Sequence, residues 1–585
     1  MAEAAPVLPS RVDRIPDQLD AGQREAYRAV FAAIRAQRWT DAQIGLATMK
    51  PGPLHAIARA ELYTAKGSPK VELEPLVQLL NEAPELPAAE ALARLATARG
   101  ATMLPPLPVA QRLIWQDGAP RRVRAKSNNS DLIAADLAVR MQPLVKLDQA
   151  VEAQALLDAT VGLGPEAIAE WQAKIAWMYF LTGDDTRARQ LGAQAGDGAG
   201  EWAVQGRWTA ALAAWRQNDC TASATGFEGV AARAGDVDLR AAALYWAARA
   251  DMACGRPDRI QPRLQAAAQF HESFYGQLAR QAMAVKDKPL RSGVVVAGDW
   301  AAIDKRPNVR VAAALVEVGE TDLADSVIRQ QARIGDPREF GHLTRVAEAL
   351  SLPATTVWLA HNCPQGIVTA AEARYPTPNW TPDSGWRVDK SLVYAHTLQE
   401  SGFRNKVVSP AGAYGLMQIM PAAATDFARE RGIGAMDRTS LTKPSTNMDI
   451  GQRHLERLRD MAGVTGGLLP KVIAAYNAGP KPVGEWNALV RDGGDPLLYI
   501  ESIPYWETRG YVTTVLRNYW MYEAQNGKPA STSRSALAQG MWPRFPGLPG
   551  ASAVRMNARP NIAASASVGA AATPAAAQSP IVRAD

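Results

Sequence analysis

Between Gln23 and Gln37 the apolar side chains of Tyr27, Val30, Phe31 and Ile34 recur at three- and four-residue intervals, which puts them on one helical face. Trp39 with the Asp41-Ala42 pair opens a second helix almost at once, so the stretch predicts a helical hairpin. The same arrangement returns around the polar turns Thr182-Gly183-Asp184-Asp185, Cys254-Gly255-Arg256-Pro257-Asp258 and Val318-Gly319-Glu320-Thr321-Asp322. A two-helix hairpin cannot bury both of its faces, and stacking hairpin on hairpin into a curved superhelix resolves this. The spacing is too irregular for a strict repeat array. Ala-rich composition, 47% hydrophobic residues and few β-branched runs extend the helical expectation to nearly the whole chain.

Two breaks punctuate the pattern. From Tyr375 to Trp386 repeated prolines exclude regular helix. Beyond Asn526 the composition shifts to Ala, Ser, Pro and Gly, and from Ala551 onward little is left to build a core. The 585 residues are therefore expected to form an irregular start (1–20), a long helical region (21–375), a second compact domain (376–525) and a disordered tail (526–585).

Candidate chemistry lies just after the proline-rich break. Asp389 can cap a helix on which Leu392, Val393 and Ala395 lead to Leu398, and Gly402 ends it with Glu400 in the last turn. Next comes the glycine-rich stretch Ser409-Pro410-Ala411-Gly412-Ala413-Tyr414-Gly415-Leu416-Met417-Gln418-Ile419-Met420-Pro421. A carboxyl near Met417 and Met420, facing a cleft, loses solvation in its charged form; its pKa rises and it can act as a general acid.

Four segments carry a resemblance. Glu400-Ser401, Gly415 to Pro421, Ala474-Ala475-Tyr476-Asn477-Ala478-Gly479-Pro480 and Glu501-Ser502-Ile503-Pro504 resemble, in this order, the catalytic domain of soluble lytic transglycosylases. Tyr245 to Ala250 and Phe274 to Ala279 resemble that family's helical superhelix. The resemblance implies an all-α protein: an N-terminal superhelical domain (21–300) forming a ring or horseshoe, a smaller helical linker domain (301–375) and a lysozyme-like catalytic domain (376–525) that cleaves peptidoglycan. It implies Glu400 as the lone catalytic residue, protonating the glycosidic oxygen between N-acetylmuramic acid and N-acetylglucosamine. The substrate's acetamido oxygen then stabilises C1, and the same residue, now a base, activates the muramyl O6 to give a 1,6-anhydro product. Ser409, Gln418, Met420 and Tyr476 match positions that line the cleft, with Met417 and Asn477 beside them, and Glu501 matches one that contacts sugar opposite the acid. A structural pair of Glu501 with Arg509 is the other expectation for that residue. His454 departs from the family pattern, standing where an aromatic residue is expected.

The remaining features narrow the function. A net charge of +6 and a pI near 9.1 suit an anionic polymer, but the basic residues are spread among 58 acids without a nucleic-acid motif, so no nucleic acid is expected. The cysteines Cys220, Cys254 and Cys363 have no metal-ligand spacing, and no metal or other cofactor is expected. Cys220 and Cys254 can bridge neighbouring hairpins or remain free buried thiols. His396, one turn before Glu400, is expected to be a core histidine. No apolar run is long enough to span a bilayer, and Met1 to Val7 lacks the pattern of an export signal, although the resemblance implies a periplasmic enzyme. The expected partners are glycan strands and cell-wall proteins held by the superhelix of a monomer. A muramidase resembling goose-type lysozymes, and a peptidoglycan-binding scaffold with a weak catalytic domain, are the alternatives.

Overall fold

Helix packed on helix accounts for nearly all the regular backbone of the computed structural model, which describes residues 15–128, 131–285, 297–527 and 531–556. The expectations for the extreme N-terminus and for the tail past 556 lie outside the described residues. Among those described, sheet is confined to two antiparallel pairs, Leu113–Trp115 with Asn362–Pro364 and Trp542–Pro543 with Ala553–Val554. None of the described helices is long and apolar enough to cross a membrane.

The contacts divide the chain into two units. One comprises 1–118, 290–380 and 402–404; the other comprises 119–289, 381–401 and 405–585. This division cuts across the linear one expected from sequence, because the first helices share one core with helices beyond residue 300.

In the first unit, Ala21–Arg35 begins at a capping box in which Asp20 accepts from the Gln23 backbone and the Gln23 side chain returns to the Asp20 backbone. Its buried face, Tyr27, Val30, Phe31 and Ile34, is the one the periodicity predicts. These side chains share a core with Leu79, Leu92, Val309, Leu315 and Ile328.

In the second unit the helices Pro165–Thr182, Asp185–Asp197, Gly200–Arg216, Cys220–Arg233, Val237–Ala253 and Pro257–Ala268 stack in chain order. Small residues set their spacing. A Cβ on Gly206 would lie 2.4 Å from the Ala195 Cβ, and one on Gly192 would lie 2.7 Å from the Gly206 carbonyl oxygen. Val237–Ala253 buries Ala241, Ala242, Tyr245, Trp246, Ala248 and Asp251 around its circumference, as expected for a helix with neighbours on both sides.

The same unit contains the C-terminal domain. There the Lys390–Ser401 helix (the acid helix) packs along Trp506–Gln525 (the long helix), with Pro444–Arg459 and Leu469–Ala478 beside them. Part of the segment expected to be structureless also folds here. Thr532–Ala538 and the Trp542–Pro543 pair bury Leu537, Trp542 and Phe545, three large side chains scattered among small ones that compositional bias concealed.

Of the two states open to Cys220 and Cys254, the structure has the disulfide, with 5.5 Å between the Cα atoms, while Cys363 is a buried free thiol. The bridge ties the start of one superhelical helix to the end of the next, 34 residues away. Replacing both bridged cysteines by serine is expected to lower unfolding free energy by about 2–4 kcal/mol, read from urea denaturation. Thiol titration of the denatured, unreduced wild type should find the single thiol of Cys363.

Candidate active site

Glu400 sits in the last turn of the acid helix, and its Oε1 accepts a 2.5 Å hydrogen bond from the hydroxyl of Tyr511 on the long helix. Burial pushes the carboxyl up to about 7, with Glu507 raising it further and the Tyr511 bond pulling it down. A group poised there carries a proton near neutrality and can accept one back. The Tyr511 phenol is held well above its ordinary pKa by burial and by the charge of Glu400, so it donates and stays neutral.

Behind the acid lies an aromatic wall. The Tyr476 hydroxyl donates to the Met417 carbonyl at 2.8 Å, and burial and Glu400 hold this phenol neutral as well. His396 is a core residue: its Nδ1 lies 2.9 Å from the Leu392 carbonyl oxygen one turn back, and its ring sits 4.9 Å from that of Tyr476. Burial drives its pKa to about 4, leaving it neutral, and its Nε2 has no hydrogen-bond partner. His454, where an aromatic was expected, still packs edge-on against Tyr476 at 5.3 Å.

The glycine-rich stretch is folded on itself. Ser409 closes a tight turn, its Oγ accepting from Ala413 N at 3.0 Å, and Tyr414 pairs with both Val408 and Ile419. Gly415 has φ +72, and a Cβ there would lie 2.5 Å from Asn447 Nδ2 and 2.8 Å from the Leu441 carbonyl oxygen, so the position accepts only glycine. Asn447 pins the turn from below: its Oδ1 accepts from Met417 N at 2.8 Å, and its Nδ2 donates to Tyr414 O at 2.9 Å and Leu441 O at 2.7 Å. Gln418 adopts φ 47 and donates its amide to Gly415 O at 2.8 Å.

Two expectations need correction. Met417 forms no exposed wall: its side chain is fully buried, and Gly451 is glycine because a Cβ there would meet the Met417 sulfur at 2.2 Å. Met417 serves instead through its carbonyl, and Met420, 46% exposed, is the methionine of the rim. Glu501 is closed to solvent rather than open to a cleft. It is completely buried, bonded to Arg122 and Tyr275 of the superhelical layer, and Arg509 turns instead to the Ile503 carbonyl. No pattern within the C-terminal domain could have revealed partners more than 200 residues upstream. Asn477 accepts from Thr508 Oγ1 at 2.6 Å and so joins two helices.

Tyr511 and Asn447 are the residues that sequence reasoning missed. Tyr511 shares a helical stripe with Thr508, Val512 and Val515, and a phenol on a buried stripe requires an acceptor. That signal points to a bond without naming Glu400. Other carboxylates of the domain have partners of their own: Asp426 is paired with Arg457 and Arg429, Glu456 with Arg387, and Asp449 with Ser384 and Gln452.

An acid at a helix end, a tyrosine donating to it and a second tyrosine bonded to the folded turn form one centre in a helical domain. The sequence model of the Transglycosylase SLT domain family matches residues 381–497. Over 134 residues the chain is 40% identical to the soluble lytic murein transglycosylase of Escherichia coli K12, a match covering 23% of this chain and 20% of that one. A putative soluble lytic murein transglycosylase of Haemophilus influenzae is 34% identical over 147 residues, 24% of this chain and 23% of the relative. The matches thus span about a fifth of these relatives' length. The fold similarity reaches much further. The crystal structure of the 70 kDa soluble lytic transglycosylase of Escherichia coli superposes with a TM-score of 0.54 at 19% identity, covering 90% of this chain and 99% of that one. Its complex with bulgecin A gives 0.55 at the same identity and coverage, and Slt of Pseudomonas aeruginosa gives 0.51, covering 86% and 81%. The architecture is therefore all-α, a superhelix of helical hairpins with a lysozyme-like domain.

Because Glu400 is raised in the folded state, it contributes no stability difference below the unfolded carboxyl pKa and an increasing penalty as pH climbs towards about 7. Glu400→Gln should match the wild type in unfolding free energy near pH 4 and exceed it by up to about 3 kcal/mol above pH 7, measured by denaturant titration across pH. Tyr511→Phe should move the Glu400 carboxyl to higher pH still, followed by carbon-13 NMR of labelled glutamate.

Proposed function

We propose that this protein is a peptidoglycan lytic transglycosylase that cleaves the β-1,4 bond between N-acetylmuramic acid and N-acetylglucosamine with Glu400 as its single acid and base. The observation that carries the reading is the half-buried carboxyl of Glu400, bonded to Tyr511 and pushed up to about 7 by desolvation. The family match of the surrounding segment supplies the substrate class.

The proton of Glu400 passes to the glycosidic oxygen as the C1–O bond breaks and the N-acetylglucosamine end departs. The muramyl acetamido oxygen bonds to C1 and takes up the developing positive charge. Glu400, now a carboxylate, removes the proton from the muramyl O6, which attacks C1 and displaces the acetamido oxygen. The product is a 1,6-anhydro sugar, the acid is reprotonated and no water is consumed. Ser409, Gln418 and Met420 contact the glycan at the rim, Tyr476 backs the acid, and Asn477 and the Met417 carbonyl hold the wall in place. The Cys220–Cys254 bridge supports an oxidising, periplasmic location, and the +6 charge suits a polymer carrying peptide carboxylates.

A muramidase reading is favoured by one observation: the charge of Glu507, one turn before Tyr511, reaches Glu400. Used as a base on water, Glu507 would give reducing ends. Mass spectrometry of products from purified sacculi separates the two. Anhydro ends, lighter by one water, support transfer, and reducing ends support hydrolysis. Glu400→Gln should lower product release about a hundredfold or more; an undiminished rate would remove Glu400 from the mechanism.

A further inference from the structure

The helix that supplies Tyr511 is shared between the active site and the superhelical layer. Along one side Tyr511 meets Glu400, and Tyr519 lies 3.5 Å from Asp389 at the start of the acid helix. Along the other, the long helix is fastened to residues of the layer. The Trp520 ring stacks on Phe274 at 5.1 Å, the Arg517 guanidinium donates to the Pro120 carbonyl at 2.8 Å, and the Arg509 guanidinium lies 4.2 Å from the centre of Trp177.

The tightest fastening lies just upstream. Glu501 ends the Pro496–Glu501 helix, and only Ser502 to Tyr505 separate it from the long helix. Its Oε2 accepts from Arg122 Nη1 at 2.7 Å, and its Oε1 accepts from Arg122 Nη2 at 3.2 Å and from the Tyr275 hydroxyl at 2.7 Å. The Tyr275 hydroxyl in turn accepts from Trp246 Nε1 at 3.0 Å, and Asp238 stands 3.8 Å from Arg122 Nε. A bidentate carboxylate and guanidinium pair with a third donor, with Glu501 and Tyr275 fully buried and the Arg122 side chain 10% exposed, fixes distance and angle together. From this end Arg509 carries the restraint into the first turn of the long helix, donating to the Ile503 carbonyl of the connecting loop at 2.9 Å.

We propose that Arg122 and Tyr275 are positioning residues: their clamp on Glu501 lets the superhelical layer set where Tyr511 stands and hence how the Glu400 carboxyl is held. A layer with no residue at the reacting atoms thereby becomes part of the catalytic apparatus. The role in turnover rests on the transglycosylase reading above, whereas the effect on the carboxyl can be measured whether or not that reading holds. The groups facing Glu400 are Tyr511 and Glu507 of the long helix and Tyr476 of the Leu469–Ala478 helix.

The test uses the full chain. Tyr275→Phe removes one donor without changing shape, and Arg122→Met with Glu501→Gln removes both buried charges so that neither is stranded. Each is checked for wild-type circular dichroism and a cooperative melt. If the double replacement does not fold, Tyr275→Phe alone decides. Carbon-13 NMR of labelled glutamate, with the Glu400 resonance assigned by Glu400→Gln, should place its titration at higher pH than in the wild type because the Tyr511 bond is loosened. On sacculi, kcat should fall about tenfold at unchanged KM, and the alkaline limb of the pH profile should move to higher pH. Folded variants with the wild-type Glu400 titration overturn the proposal. A shifted titration in a protein whose wild type releases no muropeptides keeps the clamp and rejects the transglycosylase reading.

Discussion

A carboxyl group taken largely out of water is the constraint on which the C-terminal domain depends. Glu400 stands at the end of a helix, where the dipole disfavours negative charge, and burial adds to that penalty. The Tyr511 hydroxyl is what keeps the group from being stranded. One bond of 2.5 Å leaves the carboxyl able to hold a proton near neutrality and to release it without a large rearrangement. Everything that places Tyr511 therefore bears on how this carboxyl holds its proton, beginning with the packing of the acid helix along the long helix.

That packing continues outward. The long helix is buried along most of its length, with Thr508, Val512, Val515, Leu516, Trp520 and Tyr522 all inside. Its aromatic and arginine side chains reach across to a layer built largely of alanine and glycine. The contrast has a physical basis: small residues let the hairpins approach closely enough to form a stiff stack, and large side chains concentrate where that stack meets the domain it supports. Trp246, Tyr275 and Phe274 on one side and Trp520 and Arg509 on the other belong to this seam.

The turn beside the acid is a second rigid body. Its shape comes from Gly415, from the backbone pairing of Tyr414 and from Asn447, whose single amide serves three backbone groups. With Met417 locked against Gly451, the Met417 carbonyl is a fixed acceptor for Tyr476. Rim and wall are thus held by backbone groups, and Gln418 and Met420 are left with partial exposure beside a preorganised acid.

Local pattern determined a great deal of this. The helical period at Tyr27, Val30, Phe31 and Ile34, the polar hairpin turns, the helix ending at Gly402 with an acid in its last turn and the glycine-rich stretch after it are each short-range, and each could be read along the chain. What tertiary structure decided is every pairing between distant residues. Tyr511 meets Glu400 across 111 positions, and Glu501 leaves the cleft for Arg122 across 379. Cys220 finds Cys254 across a hairpin, and Met417 turns inward because Gly451 makes room. A residue's type and spacing state what bond it needs, but only the packed fold brings up the partner, because burial and distance are properties of the whole chain.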